Sequence, residues 1–267
     1  MQIFGILNIT EDSFFDGGKF LQIESALQKA EELSKQADII DIGAQSSNVD
    51  AEIISDELEW NRLEPVIDYL QKKSYPISVD TYKPSVIQKC ILKKVNYINN
   101  IRAFVDRESQ EVLEEFRKDL PNLVLMFSHN RGEKAIRESH LKPETVLDEI
   151  SRFLESQLQI LQKISIPEHK IIVDPGMGFF LGQNPELSFR VLQEIPLLKK
   201  RFTKVMISVS RKSFLGKVLG DIPPKERGVA TVVAELYAFL QGVDFIRTHD
   251  PLALRQAIAI QEKLTNY

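Results

Sequence analysis

Three short stretches in the second half of the chain carry much of its capacity for chemistry. "DPGMGF", residues 174–179, sets Asp174 before a proline and two glycines, which keep a loop close to whatever the acid holds. "SVSRKSFLG", residues 208–216, offers Arg211 and Lys212 where a helix begins, and cations beside free backbone N–H groups favour an anion. "IRTHD", residues 246–250, puts Arg247 and His249 two apart, hence on one side of a strand, as a second anion contact. Asp80 ends "PISVD", Asn99 lies in "VNYINNI" and Asn8 ends "QIFGILN". Read one at a time, such groups are equally helix caps or turn formers. As a set they suit a ligand with two unlike ends. Asp80, Asn99 and Asp174 can hold a flat heterocycle through paired, charge-assisted hydrogen bonds to an amino-amidine edge. Arg247, His249 and a hard cation can hold a phosphate or pyrophosphate. Asn8 is the candidate oxygen ligand for that cation, because Mg²⁺ keeps most of its waters and takes few protein ligands.

These residues need elements that bring them to one face. Short apolar runs at 2–8, 38–43, 76–80, 95–101, 122–128, 170–174, 204–210 and 243–249 are mostly rich in Ile and Val and do not alternate, as expected of parallel strands covered on both sides. Helical patterns fill 22–36, 56–73, 84–94, 108–119, 143–165, 185–201, 224–241 and 251–264. Pro84, Pro185 and Pro251 stand where a first helical turn tolerates a missing N–H. Eight strand-then-helix units predict one α/β domain over 1–267, a single (β/α)₈ TIM barrel. The competing doubly wound sheet would carry a Gly-rich turn after its first strand, and "NITEDSFFDGG" is not one. A barrel demands that its active site lie at the C-terminal ends of the strands. Those ends supply Asn8, Asp41, Asp80, Asn99 with Asn100, Ser128 with His129, Asp174, Ser210 with Arg211 and Lys212, then Arg247 and His249.

Composition narrows the class. With 267 residues, 43% hydrophobic and 27% charged, the chain has the make-up of an ordinary globular protein. A net charge of −4 argues against non-specific nucleic-acid binding, and no apolar run reaches membrane-span length. Residues 1–9 read as a strand and not as a signal peptide, and Cys90 alone allows no internal disulfide, so a cytoplasmic setting is expected. Cys90 falls mid-helix, a packing position.

In order and spacing, "FGILNITEDSFFDGG", "SVDTYKP", "INN", "DPGMGF", "SVSRKSFLG" and "IRTHD" resemble dihydropteroate synthase over essentially the whole chain. The resemblance implies a (β/α)₈ enzyme of folate biosynthesis. Such enzymes join p-aminobenzoate to 6-hydroxymethyl-7,8-dihydropterin pyrophosphate, releasing pyrophosphate and 7,8-dihydropteroate. It implies that Asp80, Asn99, Ile101, Met126, Asp174, Lys212 and Arg247 bind the pterin, and that Asn8, Arg247 and His249 bind pyrophosphate, with Asn8 also on Mg²⁺. Phe14, Phe179, Lys212 and Ser213 would border p-aminobenzoate, with 10–20 as a lid. Asp80, Lys212, Arg247 and His249 would carry catalysis. Helices 224–241 and 251–264 would form a homodimer face.

The chain also departs from that family. Loop two reads "GAQSSNVD", with Asn48 and Val49 where an arginine and a proline are usual; Glu11 replaces a proline, and Asn100 an aspartate. Phe180 and Leu181 replace Gly-Lys, and Met126 is not followed by histidine. Several of these changes resemble the sulfonamide-insensitive branch, which implies a reshaped p-aminobenzoate subsite beside a conventional pterin pocket. A pterin-binding domain of a corrinoid-dependent methyltransferase, or a non-catalytic pterin binder, are the alternative readings.

Overall fold

Alternation of side chains along the strands decides how this molecule is layered. A computed structural model of the chain describes residues 1–9, 19–47 and 49–265. Its strands are β1 (Gln2–Asn8), β2 (Ile39–Gly43), β3 (Ile77–Asp80), β4 (Tyr97–Asn100), β5 (Asn122–Met126), β6 (Ile171–Asp174), β7 (Met206–Ile207) and β8 (Phe245–Thr248). Between and after them run α1 (Lys19–Ser34), α2 (Asp56–Lys72), α3 (Pro84–Leu92), α4 (Arg107–Glu115) and α5 (Val146–Lys163). The second half adds α6 (Pro185–Gln193), α7 (Ile195–Arg201), α8 (Ser213–Lys217), α9 (Gly228–Leu240) and α10 (Pro251–Thr265). The sheet order is β6-β5-β4-β3-β2-β1-β8-β7, with all named pairs parallel. A parallel bridge between Val173 and Val205 joins β6 to the approach to β7, so the sheet curls into a nearly closed TIM barrel.

One face of every strand packs outward against helices. Ile3, Leu7, Ile40, Ile42, Ile77, Val79, Ile98 and Leu125 belong to that outer core with helical residues such as Leu33, Leu63, Val86 and Leu154. The inward face starts as an apolar floor of Phe4, Ile39, Val124, Ile172, Met206 and Phe245, with Tyr97 against it. Phe4 meets Tyr97 and Phe245 edge-on, at centroid distances of 5.0 and 5.7 Å. Two residues further along, the same face turns polar: Ile39 is followed by Asp41, Tyr97 by Asn99, Ile172 by Asp174 and Phe245 by Arg247. Strand register aligns these groups, since Asn8 pairs with Gly43, Gly43 with Asp80, Asp80 with Asn99, and Met126 with Asp174.

Helices differ from expectation in two places. The pattern over 185–201 breaks at Glu194 into α6 and α7, because Pro196 takes a first-turn position and cannot donate to a continuing ladder. The pattern over 224–241 starts as a helix only at Gly228, after a 3₁₀ turn at Pro224–Glu226. Cys90 is fully buried in α3, where burial raises its thiol well above the ordinary value. Among the described residues, no helix is long and apolar enough to cross a membrane.

Candidate active site

The polar layer above the floor is organised by Arg247. Its Nε donates to Asp41 Oδ2 at 2.5 Å and a terminal nitrogen donates to Asp80 Oδ2 at 2.6 Å, so β8 reaches across to β2 and β3. Burial opposes the guanidinium charge, but the two carboxylates hold it firmly protonated and push its pKa up. Burial also raises the Asp80 carboxyl above the usual range, Arg247 pulls against that rise, and Asp41 adds to it. Arg247, read from the sequence as an anion contact, thus lies among the acids. Asp41, assigned no role from sequence, is its fully buried partner.

Asp174 completes the acidic side. Its Oδ1 accepts from the Gly176 N–H at 2.8 Å, whereas Oδ2 has no protein partner among the described residues. Burial raises its pKa to about 6, opposed by the Gly176 hydrogen bond and by Lys212 and Arg247. Asn99 Oδ1 and Asp41 Oδ1 are likewise buried without a protein partner. Unpaired acceptors at this depth cost free energy unless a donor meets them. Beside them Tyr82, Ile101, Met126, Ala135 and Phe180 form a buried apolar wall, with Val49 and Phe179 packed against it.

The two adjacent cations of "SRKS" diverge. Lys212 turns inward, with Nζ 4.4 Å from the centre of the Phe180 ring. Burial lowers its pKa to about 8, while Asp174 and Asp80 resist that fall. The loop after β6 must pass close to it. Gly178 has φ +62°, and a Cβ there would lie 3.1 Å from Ser213 Oγ and 3.4 Å from Lys212 carbons. Gly176 is tighter still, since its Cβ would lie 2.2 Å from the Phe127 carbonyl oxygen.

Arg211 turns outward and lines a cleft of about 560 Å³ with Asn8, Lys29 and His249. His249 Nδ1 lies 2.9 Å from Ser210 Oγ. Burial, then the cations Arg211, Arg247 and Lys212, push its pKa down to about 3, so the imidazole is neutral at pH 7. An anion would therefore meet it as a hydrogen-bond partner and not as a charge. The Asn8 side chain points toward Gly43, whose Cβ would lie 4.0 Å from Asn8 Oδ1.

Loops two, five and six are tied together at the rim. The Ala135 N–H donates to the Ser47 carbonyl at 3.0 Å, Lys134 Nζ donates to the Ala51 carbonyl at 3.0 Å, and the Gln183 N–H donates to the Arg137 carbonyl at 2.8 Å. Arg137 also pairs with Asp50 at 3.3 Å and lies 5.8 Å from the centre of the Phe179 ring. Loop two is fixed from below by Lys83, which donates to the Ile54 carbonyl and pairs with the fully buried Glu59 at 2.9 Å. Phe14, the rest of 10–18 and Asn48 lie outside the described residues.

The structure thus brings Asp80, Asn99, Ile101, Met126, Asp174, Lys212 and Arg247 to one cup, with Phe179 and Ser213 at its loop-six side and Asn8 and His249 at the neighbouring cleft. A family model described as pterin binding enzyme matches residues 4–249. Dihydropteroate synthase type-3 of Escherichia coli is 43% identical over 98% of this chain and 99% of its own length. Dihydropteroate synthase type-2 of Escherichia coli is 40% identical over 97% of this chain and 94% of its own. The structure of Xanthomonas albilineans dihydropteroate synthase with 4-aminobenzoic acid superposes with a TM-score of 0.88 at 28% identity, covering 100% of this chain and 93% of that one. The site and fold are those of a pterin-binding barrel enzyme. Within that class, the chain belongs to the dihydropteroate synthases, and its activity is dihydropteroate synthesis.

Proposed function

We propose that residues 1–267 work as one pterin-binding domain in which the polar layer holds the dihydropterin and the Asn8–His249 cleft holds its pyrophosphate. The observation that carries this reading is the set of buried acceptors, Asn99 Oδ1 and Asp174 Oδ2, left without donors among the described residues beside the Ile101–Met126–Phe180 wall. A pterin edge presents amino and ring N–H donors to such acceptors and an apolar face to such a wall. Lys212, facing the same loop, donates to the carbonyl side of the ring.

Arg247 is anchored by Asp41 and Asp80 and lies against the ring. As the C–O bond to pyrophosphate lengthens, Arg247, neutral His249 and Arg211 stabilise the charge that grows on the leaving group. Asp80, next to the ring, favours the positive character left on the exocyclic methylene. The aryl amine of p-aminobenzoate then attacks that carbon, oriented by Phe179, Lys212 and Ser213, and by Phe14 from loop one. No covalent enzyme intermediate is needed.

The donor chemistry at β1 fits a hydrated Mg²⁺ arriving with pyrophosphate. Asn8 offers one neutral amide oxygen, and among the described residues no group of three or more His, Cys, Asp and Glu gathers to hold a metal alone. Bound there, the ion would supply charge neutralisation to the diphosphate oxygens. Asn8 would hold it and fix the end of β1.

The p-aminobenzoate side is where the chain departs from its family, with Val49 and Phe179 packed on the wall beneath Arg137. The likeness to the type-2 and type-3 enzymes supports a subsite that excludes sulfonamides while accepting p-aminobenzoate. Pyrophosphate release from dihydropterin pyrophosphate should require p-aminobenzoate and persist when sulfamethoxazole is added in large excess. Absence of release ends the catalytic reading; inhibition at equimolar drug ends the insensitivity reading alone.

A homodimer would bury the outer faces of α9 and α10, where Val229, Val233, Leu240, Ile260 and Leu264 are all more than half exposed. Sedimentation should give a dimer that Val233→Asp converts to monomer, and a monomeric unmodified protein would end this reading.

A further inference from the structure

The helix that presents this outer apolar stripe also carries a polar stripe that points inward. On α9, Thr231 and Glu235 are one turn apart and both buried, Glu235 completely. Thr231 Oγ1 accepts from the Arg211 N–H at 3.0 Å, so this stripe already supports the anion corner. We propose that Glu235 is a positioning residue that acts through Thr248 and Ser210 to present His249 to pyrophosphate with the proton on Nε2. This rests on the reading of His249 as a pyrophosphate contact.

The argument follows the protons. Neither carboxyl oxygen of Glu235 has a hydrogen-bond partner within ordinary limits among the described residues, and the side-chain hydroxyl that acts on it is that of Thr248. Thr248 Oγ1 lies 3.4 Å from Ser210 Oγ, and Ser210 Oγ lies 2.9 Å from His249 Nδ1. Each hydroxyl also accepts from a backbone amide: Thr248 from Asp250 at 3.2 Å and Ser210 from His249 at 3.1 Å. With one lone pair fixed in this way, each hydroxyl has a single proton to aim, and the chain must run in one of two directions.

The state of Glu235 selects the direction. Burial holds its carboxyl protonated at neutral pH, raising its pKa to about 8, with Thr248 opposing and Asp250 assisting. The acid then donates to Thr248, Thr248 to Ser210, and Ser210 to Nδ1. A neutral imidazole that accepts at Nδ1 carries its proton on Nε2 and offers a donor to the cleft it shares with Asn8 and Arg211. In the reverse direction Ser210 accepts from Nδ1–H, and Nε2 turns a lone pair toward phosphate oxygens. Burial, and then the positive charges of Arg211, Arg247 and Lys212, keep the ring from taking a second proton to escape this choice.

Nitrogen-15 NMR of histidine-labelled protein reads the tautomer directly, and steady-state kinetics read its consequence. Glu235→Leu should populate the Nδ1–H tautomer of His249 and raise KM for dihydropterin pyrophosphate roughly tenfold, leaving KM for p-aminobenzoate unchanged. Glu235→Gln, which keeps a donor, should rescue both signals. Thr248→Val breaks the same chain without touching α9 and should behave like Glu235→Leu, which covers the case where the leucine variant does not fold. An Nε2–H tautomer that survives both Glu235→Leu and Thr248→Val overturns the proposal, as does a Glu235→Gln enzyme no better than the leucine variant. His249→Gln separates this from the reading beneath it. If that variant keeps its KM for the pterin substrate, His249 has no phosphate role, and the tautomer signal alone decides what Glu235 does.

Discussion

Arg247→Leu should lower kcat/KM at least about a thousandfold, and the same variant should unfold at lower denaturant than the unmodified enzyme. Two separate consequences of one contact are at work. The guanidinium is the shared partner of Asp41 and Asp80, the first fully buried and the second largely so. Removing it leaves two carboxylates on the neighbouring strands β2 and β3 without the cation they share, and breaking such a pair costs about 3–5 kcal/mol. The catalytic loss is distinct, because the leaving pyrophosphate loses a cation already held in place. Arg247→Lys distinguishes the two effects. A lysine keeps the charge but cannot span both carboxylates as a fork, so stability should largely return while turnover stays well below that of the unmodified enzyme. Urea unfolding and pyrophosphate release measure the two properties. Full activity in either variant would remove Arg247 from the mechanism.

Asp174→Asn should separate binding from stability in opposite directions. An amide at this position loses a charge-assisted acceptor for the pterin edge, and affinity for a pterin should fall roughly 10- to 100-fold. Folding responds the other way. The carboxyl has its pKa raised from the ordinary 3.8 to about 6 in the folded protein, so the native state holds this proton more tightly than the unfolded chain does. Its favourable contribution is complete below pH 3.8 and is lost as pH climbs through 6, above which a desolvated carboxylate weighs against folding. An asparagine carries no such charge. The variant should therefore be more stable than the unmodified enzyme at pH 7.5 by roughly 1–3 kcal/mol, an advantage that shrinks as pH falls toward 4. Calorimetric titration with a pterin and unfolding curves at two pH values test both halves. Unchanged pterin affinity would show that Asp174 does not bind the ring.

The strands and their polar ends were legible because two simple periodicities agree. Apolar runs covered on both faces gave eight strands, and the first polar residue after each run fell on the inward face. Asp80, Asn99, Asp174 and Arg247 were legible as polar groups at the C-terminal ends of those runs, the ends a barrel brings to one face. What could not be read is reach across the barrel. Asp41 and Arg247 are 206 positions apart and meet because β8 and β2 flank β1 in the sheet. The inward alternation from Ile39 to Asp41 was a signal that could have given Asp41 a role. Phe180 and not Phe179 became the ring beneath Lys212, a choice made by a 3₁₀ turn at Gly178–Phe180 that adjacent aromatic letters do not announce. The break between α6 and α7 did have a local sign in Pro196. Glu235 had none, since an acid in a helical pattern reads as a solvated position until the helix is docked.

The cross-ties among loops two, five and six carry a consequence for how such an enzyme can change over generations. Ala135 with Ser47 and Gln183 with Arg137 meet through main-chain atoms alone, so apart from Lys134, which holds the Ala51 carbonyl, and Arg137, which pairs with Asp50, side chains at this rim can be exchanged while the loops keep their course. The residues of the polar layer have no comparable latitude: they are strand positions whose neighbours in register are the other members of the same layer. On the proposed assignment of the two subsites, an inhibitor shaped like the aminobenzoate would confront the part of the protein that mutation can redraw. One shaped like the bicyclic ring would confront residues whose replacement dismantles the recognition of the natural substrate as well.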